Sequence, residues 1–101
     1  MADDHALLRN AATQWAVYII EASDHSLYTG ISTDPERRLR EHRSGARGAR
    51  FFRGREPRAL LYVEAGHSRS SACCREAEIK RWPRERKIAL IAEATANKAD
   101  G

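Results

Sequence analysis

The chain is short of several residue types, and each shortage narrows what it can be. Of its 101 residues only two are cysteines, Cys73 and Cys74, and they are neighbours. Adjacent cysteines are badly placed to bond to each other and match no C-x-x-C metal knuckle, which argues against a disulfide scaffold or a zinc ribbon. Free thiols suit a reducing compartment, so a cytoplasmic protein is expected. No apolar run approaches the ~20 residues that a membrane-spanning helix needs, and Met1 to Gln14 lacks the basic start and apolar stretch of a secretory leader. Membrane insertion and export are therefore not expected. Lysine is scarce, three against fifteen arginines, and the only asparagines are Asn10 and Asn97.

What is present fits a small globular protein. A chain of this length buries about two thirds of the surface it exposes when unfolded, which leaves room for one domain with one modest core. Eighteen basic and fourteen acidic residues give a net charge of +4. The distribution says more than the sum, because nine arginines fall between Arg37 and Arg58 with only Glu41 and Glu56 among them. A local positive field of that kind suits polyanions, and the planar arginine fork pairs bidentately with phosphate. A GC-rich genome would favour arginine codons equally, so the preference over lysine does not decide the matter.

Residues 1–13 carry no sustained periodicity and 95–101 are small and polar, so both are read as flexible segments around a domain spanning 14–94. Trp15 to Ile20 is a run of aromatic and β-branched residues, followed by the turn-rich Ala22 to Ser26 and a second short run, Leu27 to Ile31, which together predict a β-hairpin. Side chains alternate along a strand, so Ala16, Tyr18 and Ile20 point one way and Trp15, Val17 and Ile19 the other. With Asp24-His25-Ser26 as the loop, Tyr18 and Tyr28 share a face. A helix is predicted from Thr33 or Asp34 to Ser44, with Pro35 in its first turn, Glu36 placed for a capping box with Thr33, and Gly45 ending it. On it Arg38 and His42 stack one turn apart, Leu39 turns to the sheet, and Arg40, Arg43 and Arg47 lie on a more exposed side. Gly45 to Arg58 has no clean period. Ala59 to Val63 predicts a third strand bounded by Pro57. Helices over Ser70–Arg81 and Pro83–Ala94 complete a β-β-α-β-α-α order, an α+β arrangement, with Ile88 and Ile91 as an inward stripe.

Tyr18, the tripeptide Tyr28-Thr29-Gly30, the stretch Glu36-Arg37-Arg38-Leu39-Arg40-Glu41-His42 and the segment Glu76-Ala77-Glu78-Ile79-Lys80 resemble, in that order, the GIY-YIG nuclease superfamily. The resemblance covers about Trp15 to Ala92 and is greatest to its small, stand-alone, single-domain bacterial members. The first family tripeptide stands here as Ala16-Val17-Tyr18, so only its tyrosine matches. The resemblance implies a three-stranded antiparallel sheet flanked by helices, and hydrolysis of phosphodiester bonds with Mg²⁺ or Mn²⁺. An asparagine that some members use beyond the metal-binding glutamate has no clear counterpart.

Phosphodiester hydrolysis needs an activated water, stabilisation of charge on the transition state and help for the leaving oxygen. The resemblance assigns Glu76 to the metal, which can be held by one carboxylate with water and substrate phosphate. Arg38 would clamp the phosphate, and Tyr18 and Tyr28 would orient and activate the water, helped by nearby cations because a free phenol has a pKa near 10. His42 would relay a proton, bind the phosphate or simply support a tyrosine. Plainer alternatives stand beside each: an i,i+4 pair of Glu76 with Lys80, a solvated arginine, and cross-strand packing of the tyrosines. Arg37, Arg47, Arg50, Arg53, Arg55 and Lys80 are the candidate contacts to the nucleic-acid backbone, with Phe51 and Phe52 available for stacking. His67 with the two cysteines makes a poor zinc site, and His25 reads as a solvated turn residue.

Three functions follow. The first is an endonuclease acting on DNA in preference to RNA, with a role in repair or recombination. The second is a nucleic-acid-binding module with weak or lost catalysis. The third is a protein-interaction domain with incidental charge. No length remains for a module that selects substrate, which assigns that choice to a protein partner or a dimer.

Overall fold

The run Trp15–Ala22 forms β1, and its alternation places Val17 and Ile19 on one face and Ala16, Tyr18 and Ile20 on the other, with all five buried. The computed structural model describes residues 14–45 and 48–100. Leu27–Ser32 forms β2, and Pro57–His67 forms β3. The three strands make one antiparallel sheet in the order β2-β1-β3, so β1 is central and the other two are edges. The register pairs Tyr18 with Gly30 and Ile20 with Tyr28, which puts both tyrosines on one face as the alternation predicts.

Each face of the sheet is covered by different helices. Helix α1, Pro35–Ser44, buries Leu39 against Tyr18 and Ile20, with Tyr28, Phe52 and Leu60 at the margin. Helix α2, Arg69–Lys80, buries Ala72 and Ile79 against Val17 and Ile19 on the opposite face, where Leu90 and Ile91 of α3, Arg84–Asp100, also pack. The element order and the α+β class are those expected from patterning. Among the described residues no helix is long and apolar enough to cross a membrane.

Several boundaries differ from the sequence reading for identifiable reasons. Asp34, not Thr33, caps α1, accepting from the Arg37 amide, and Gly45 ends it in the left-handed conformation at φ 78°. The expected pairing of Thr33 with Glu36 is therefore not the cap. Strand β3 includes Pro57 and continues four residues past Val63. Proline is tolerated as the first residue of an edge strand, and the extension is held where His67 pairs with Trp15. Ser68 caps α2 in a capping box with Ser71. No helix break occurs at Ala94, because the polar and small residues that follow contain no proline or glycine before Gly101. Ile88 is 45% exposed, so only Ile91 of the predicted stripe faces the core. The segment 1–13 lies outside the described residues.

Candidate active site

The site grows from the middle of the sheet. Tyr18 is 1% exposed, and its hydroxyl lies 3.1 Å from Nε2 of His42. His42 is itself buried on α1, one turn beyond Arg38. Its other ring nitrogen, Nδ1, receives the backbone N–H of Ala49 at 3.0 Å. An amide nitrogen can only donate, so Nδ1 carries the lone pair and the proton of the neutral ring sits on Nε2. His42 is thereby a donor to the Tyr18 oxygen. Burial, reinforced by the positive charge of Arg38, holds the His42 pKa down at about 4, with Glu41 pulling weakly the other way.

Room for the Tyr18 hydroxyl comes from a glycine. A Cβ at Gly30 would stand 2.6 Å from Tyr18 Oη, closer than such atoms approach, and in tight contact with Tyr28 Cε1 at 3.0 Å. The final glycine of Tyr28-Thr29-Gly30 is thus required by the ring beside it. Gly48 sits under a milder constraint, since a Cβ there would meet the His42 backbone at 3.2 Å and a shift of a few tenths of an ångström would relieve it.

Arg38 completes the group. Its Nη1 donates to Glu41 at 3.1 Å, and its guanidinium acts on Tyr18 through both charge and a hydrogen bond. These partners outweigh burial and raise the Arg38 pKa. The Tyr18 pKa is also raised, chiefly by burial and then by Tyr28, with Arg38 opposing. The phenol is therefore held protonated, in a setting that already contains two donors for a phenolate.

Aromatic rings wall the site. Tyr28 lies 5.3 Å from His42 in an edge-on arrangement, and Phe52 lies 4.7 Å from His42 and 5.1 Å from Tyr28, centroid to centroid. Phe51 packs on Tyr28 at 5.3 Å, and Arg55 covers Phe51 at 4.4 Å. Both phenylalanines come from a short 3₁₀ turn, Arg50–Phe52, within the stretch that has no period in the sequence.

Tyr18, Tyr28, Arg38 and His42 are thus brought together, while Glu76 is carried by the helix on the other face. Its carboxylate is about a quarter exposed and lies 3.6 Å from Lys80 Nζ, the i,i+4 pair anticipated as the plainer alternative. On that same side, Thr29 of β2 has a buried hydroxyl with no partner among the described residues. No cluster of three acidic, histidine or cysteine side chains able to hold a metal occurs among them. The donors that the Glu76 carboxylate offers are hard oxygens. They fit an Mg²⁺ or Mn²⁺ ion held by one carboxylate with waters and phosphate, and do not fit a closed protein cage.

The predicted backbone contacts divide. Arg37 approaches Glu41 at 4.0 Å, and Arg55 is tied to Asp24 at 3.7 Å and to Ser26 at 3.2 Å. Arg43 is not a free surface cation, because it donates to the carbonyls of Pro57 and Arg58. Arg50 and Arg53 line a cavity beside His42. Arg47 lies outside the described residues. Sequence reasoning missed Glu41, whose i+3 spacing from Arg38 was a usable signal, and the Ala49 amide, which had none. His67 is a bracket between Glu64 and Ser71, at 2.7 and 2.8 Å, and not part of a zinc site.

A buried tyrosine, a donor histidine and an arginine gathered over the hairpin of a three-stranded sheet define the catalytic-domain class. Residues 14–89 match the GIY-YIG catalytic domain, and the chain belongs to that family. Among its relatives is a UPF0213 protein of Haloquadratum walsbyi, 53% identical over 79 residues that cover 78% of this chain and 88% of that one. A UPF0213 protein of Pseudomonas aeruginosa is 47% identical over 77 residues, covering 76% and 73%. The solution NMR structure of the UPF0213 protein BH0048 from Bacillus halodurans is 41% identical, with a TM-score of 0.49 over 77% of this chain and 82% of that one.

Proposed function

We propose that the chain is a divalent-metal-dependent endonuclease that hydrolyses phosphodiester bonds in DNA in preference to RNA. The observation that carries this reading is the Tyr18 hydroxyl, buried and faced by the Nε2–H of His42 and the Arg38 guanidinium. Membership of a nuclease-type family supports it.

Arg38 exchanges its bond to Glu41 for the non-bridging oxygens of the phosphate, where negative charge builds in the transition state. Tyr18 and Tyr28 orient the attacking water. The tyrosine that takes the water's proton must first release its own to solvent base, and His42 and Arg38 supply donors for the phenolate that this leaves at Tyr18. His42 relays no proton, because its only lone pair is engaged by Ala49. Glu76 would hold the metal ion, which when bound supplies Lewis-acid help to the phosphoryl oxygens and the leaving group. Strand β2 reconciles the two faces: it is an edge, with Tyr28 on one side and Thr29 on the other, so a strand laid along that edge reaches both Arg38 and Glu76.

A second reading, a binding module with lost catalysis, is favoured by the Glu76–Lys80 pair and by the burial that keeps Tyr18 protonated. Incubation of supercoiled, branched and single-stranded DNA and of RNA with Mg²⁺, Mn²⁺ or EDTA separates the two. Cleavage that needs metal and is abolished by Glu76→Ala and by Arg38→Ala, with folding retained, is the expected result. Salt-sensitive binding without cleavage makes the binding module the correct account.

A further inference from the structure

The Tyr18 group uses none of the charge on Arg50 and Arg53. These two side chains, with Gly45, Gly48, Ala49, Phe52 and the far flank of His42, line an open cavity of about 410 Å³. No acidic residue lines it. Both arginines lack an acidic partner among the described residues, in contrast to Arg37 and Arg38, which share Glu41, and Arg55, which has Asp24. Arg50 and Arg53 are both exposed, so neither guanidinium is needed to fill the core.

Two like charges beside one cavity repel each other, and an anion seated between them removes that repulsion while gaining charge-assisted bonds. A water occupies roughly 30 Å³ in the liquid, so the cavity has space for a phosphate group together with several waters.

We infer that this cavity is a second phosphate subsite, which holds a phosphodiester group of the same nucleic-acid strand next to the one that Arg38 clamps. The inference rests on the nuclease reading for the identity of the strand, but the subsite itself is an anion site that metal and cleavage do not enter. His42 is the partition between the two subsites, since its Nε2 meets Tyr18 and the same residue lines the cavity. Arg50 and Arg53 are left for this subsite, whereas Arg37, Arg38 and Arg55 are engaged by carboxylates.

The test uses the full chain, ¹⁵N-labelled and free of metal, titrated with inorganic phosphate at low ionic strength. Amide shifts should concentrate at Gly48, Ala49, Arg50 and Arg53, persist in Arg38→Ala, and be lost in the double variant Arg50→Ala/Arg53→Ala with the rest of its spectrum unchanged. Oligonucleotide binding in EDTA should then lose about 1 to 2 from the slope of log K against log salt in the double variant. Shifts confined to Arg38 and Tyr18, or an unchanged phosphate response and salt slope in the double variant, overturn the subsite. A protein that shows the subsite but never cleaves under any metal instead overturns the nuclease reading alone.

Discussion

The Ala49 amide, 3.0 Å from Nδ1 of His42, decides which proton faces Tyr18. A backbone group seven residues along the chain thus sets the tautomer of a side chain on α1, and with it the polarity of the contact to the phenol oxygen.

That polarity separates two variants. His42→Gln retains an N–H able to reach Tyr18 and should keep most of the cleavage rate, whereas His42→Ala removes the donor. Loss of one such donor costs about 10²- to 10³-fold in kcat. Single-turnover rates of the two variants check this, and equal loss in both would make His42 a proton acceptor.

The same burial predicts a pH dependence of stability. The His42 pKa is about 4 in the folded protein against 6.5 for a free ring. The unfolded chain therefore binds more protons between those values. The stabilisation is complete above about pH 6.5, falls as pH drops toward 4, and changes no further below that. Its full size is on the order of 3 kcal/mol. Urea midpoints at pH 7 and pH 4.5 should differ less in His42→Gln than in the wild type.

Gly30→Ala tests the space reserved for Tyr18. The added methyl meets Tyr18 Oη at 2.6 Å, and Tyr18 is fully packed, so the ring or the β2 backbone must move. Overpacking of this kind costs about 1 to 3 kcal/mol. Thermal unfolding should show that loss, and cleavage should fall further than stability does because the hydroxyl leaves Arg38 and His42.

Glu41→Gln removes an anion that competes with phosphate for Arg38. The Arg38–Glu41 pair is about 30% exposed on both sides, so stability should change by less than about 1 kcal/mol. Nucleic-acid affinity should rise a few-fold in EDTA while kcat falls, because Arg38 is bound more readily and positioned less well. Anisotropy titrations and turnover rates measured side by side check both signs.

Much of this arrangement was legible in the sequence. Strand alternation, with Asp24-His25-Ser26 as the loop, placed Tyr18 with Tyr28, and helical spacing placed Arg38 with His42. The extension of β3 over Glu64 to His67 was not, because the apolar run that marks the strand stops at Val63. There the strand is held by tertiary bonds: Glu64 accepts from Tyr62 at 2.6 Å and from Arg75 at 3.0 Å. The position of Phe51 and Phe52 was equally hidden, since a 3₁₀ turn packed by its own rings leaves no periodic trace. Glu76 was named through the resemblance and its i,i+4 spacing from Lys80 was readable, but the face of the sheet its helix covers depends on the chain's path after β3.

Tyr18 is anchored on both sides, paired with Gly30 across one ladder and Val63 across the other. Its amide can exchange with solvent only when the whole sheet opens, so its protection should equal that of global unfolding. The 3₁₀ turn that carries Arg50 has no ladder on either side. In the proposed enzyme, chemistry would therefore rest on the part of the chain that opens last, and capture of the polyanion on a part that can open first and close again without disturbing it.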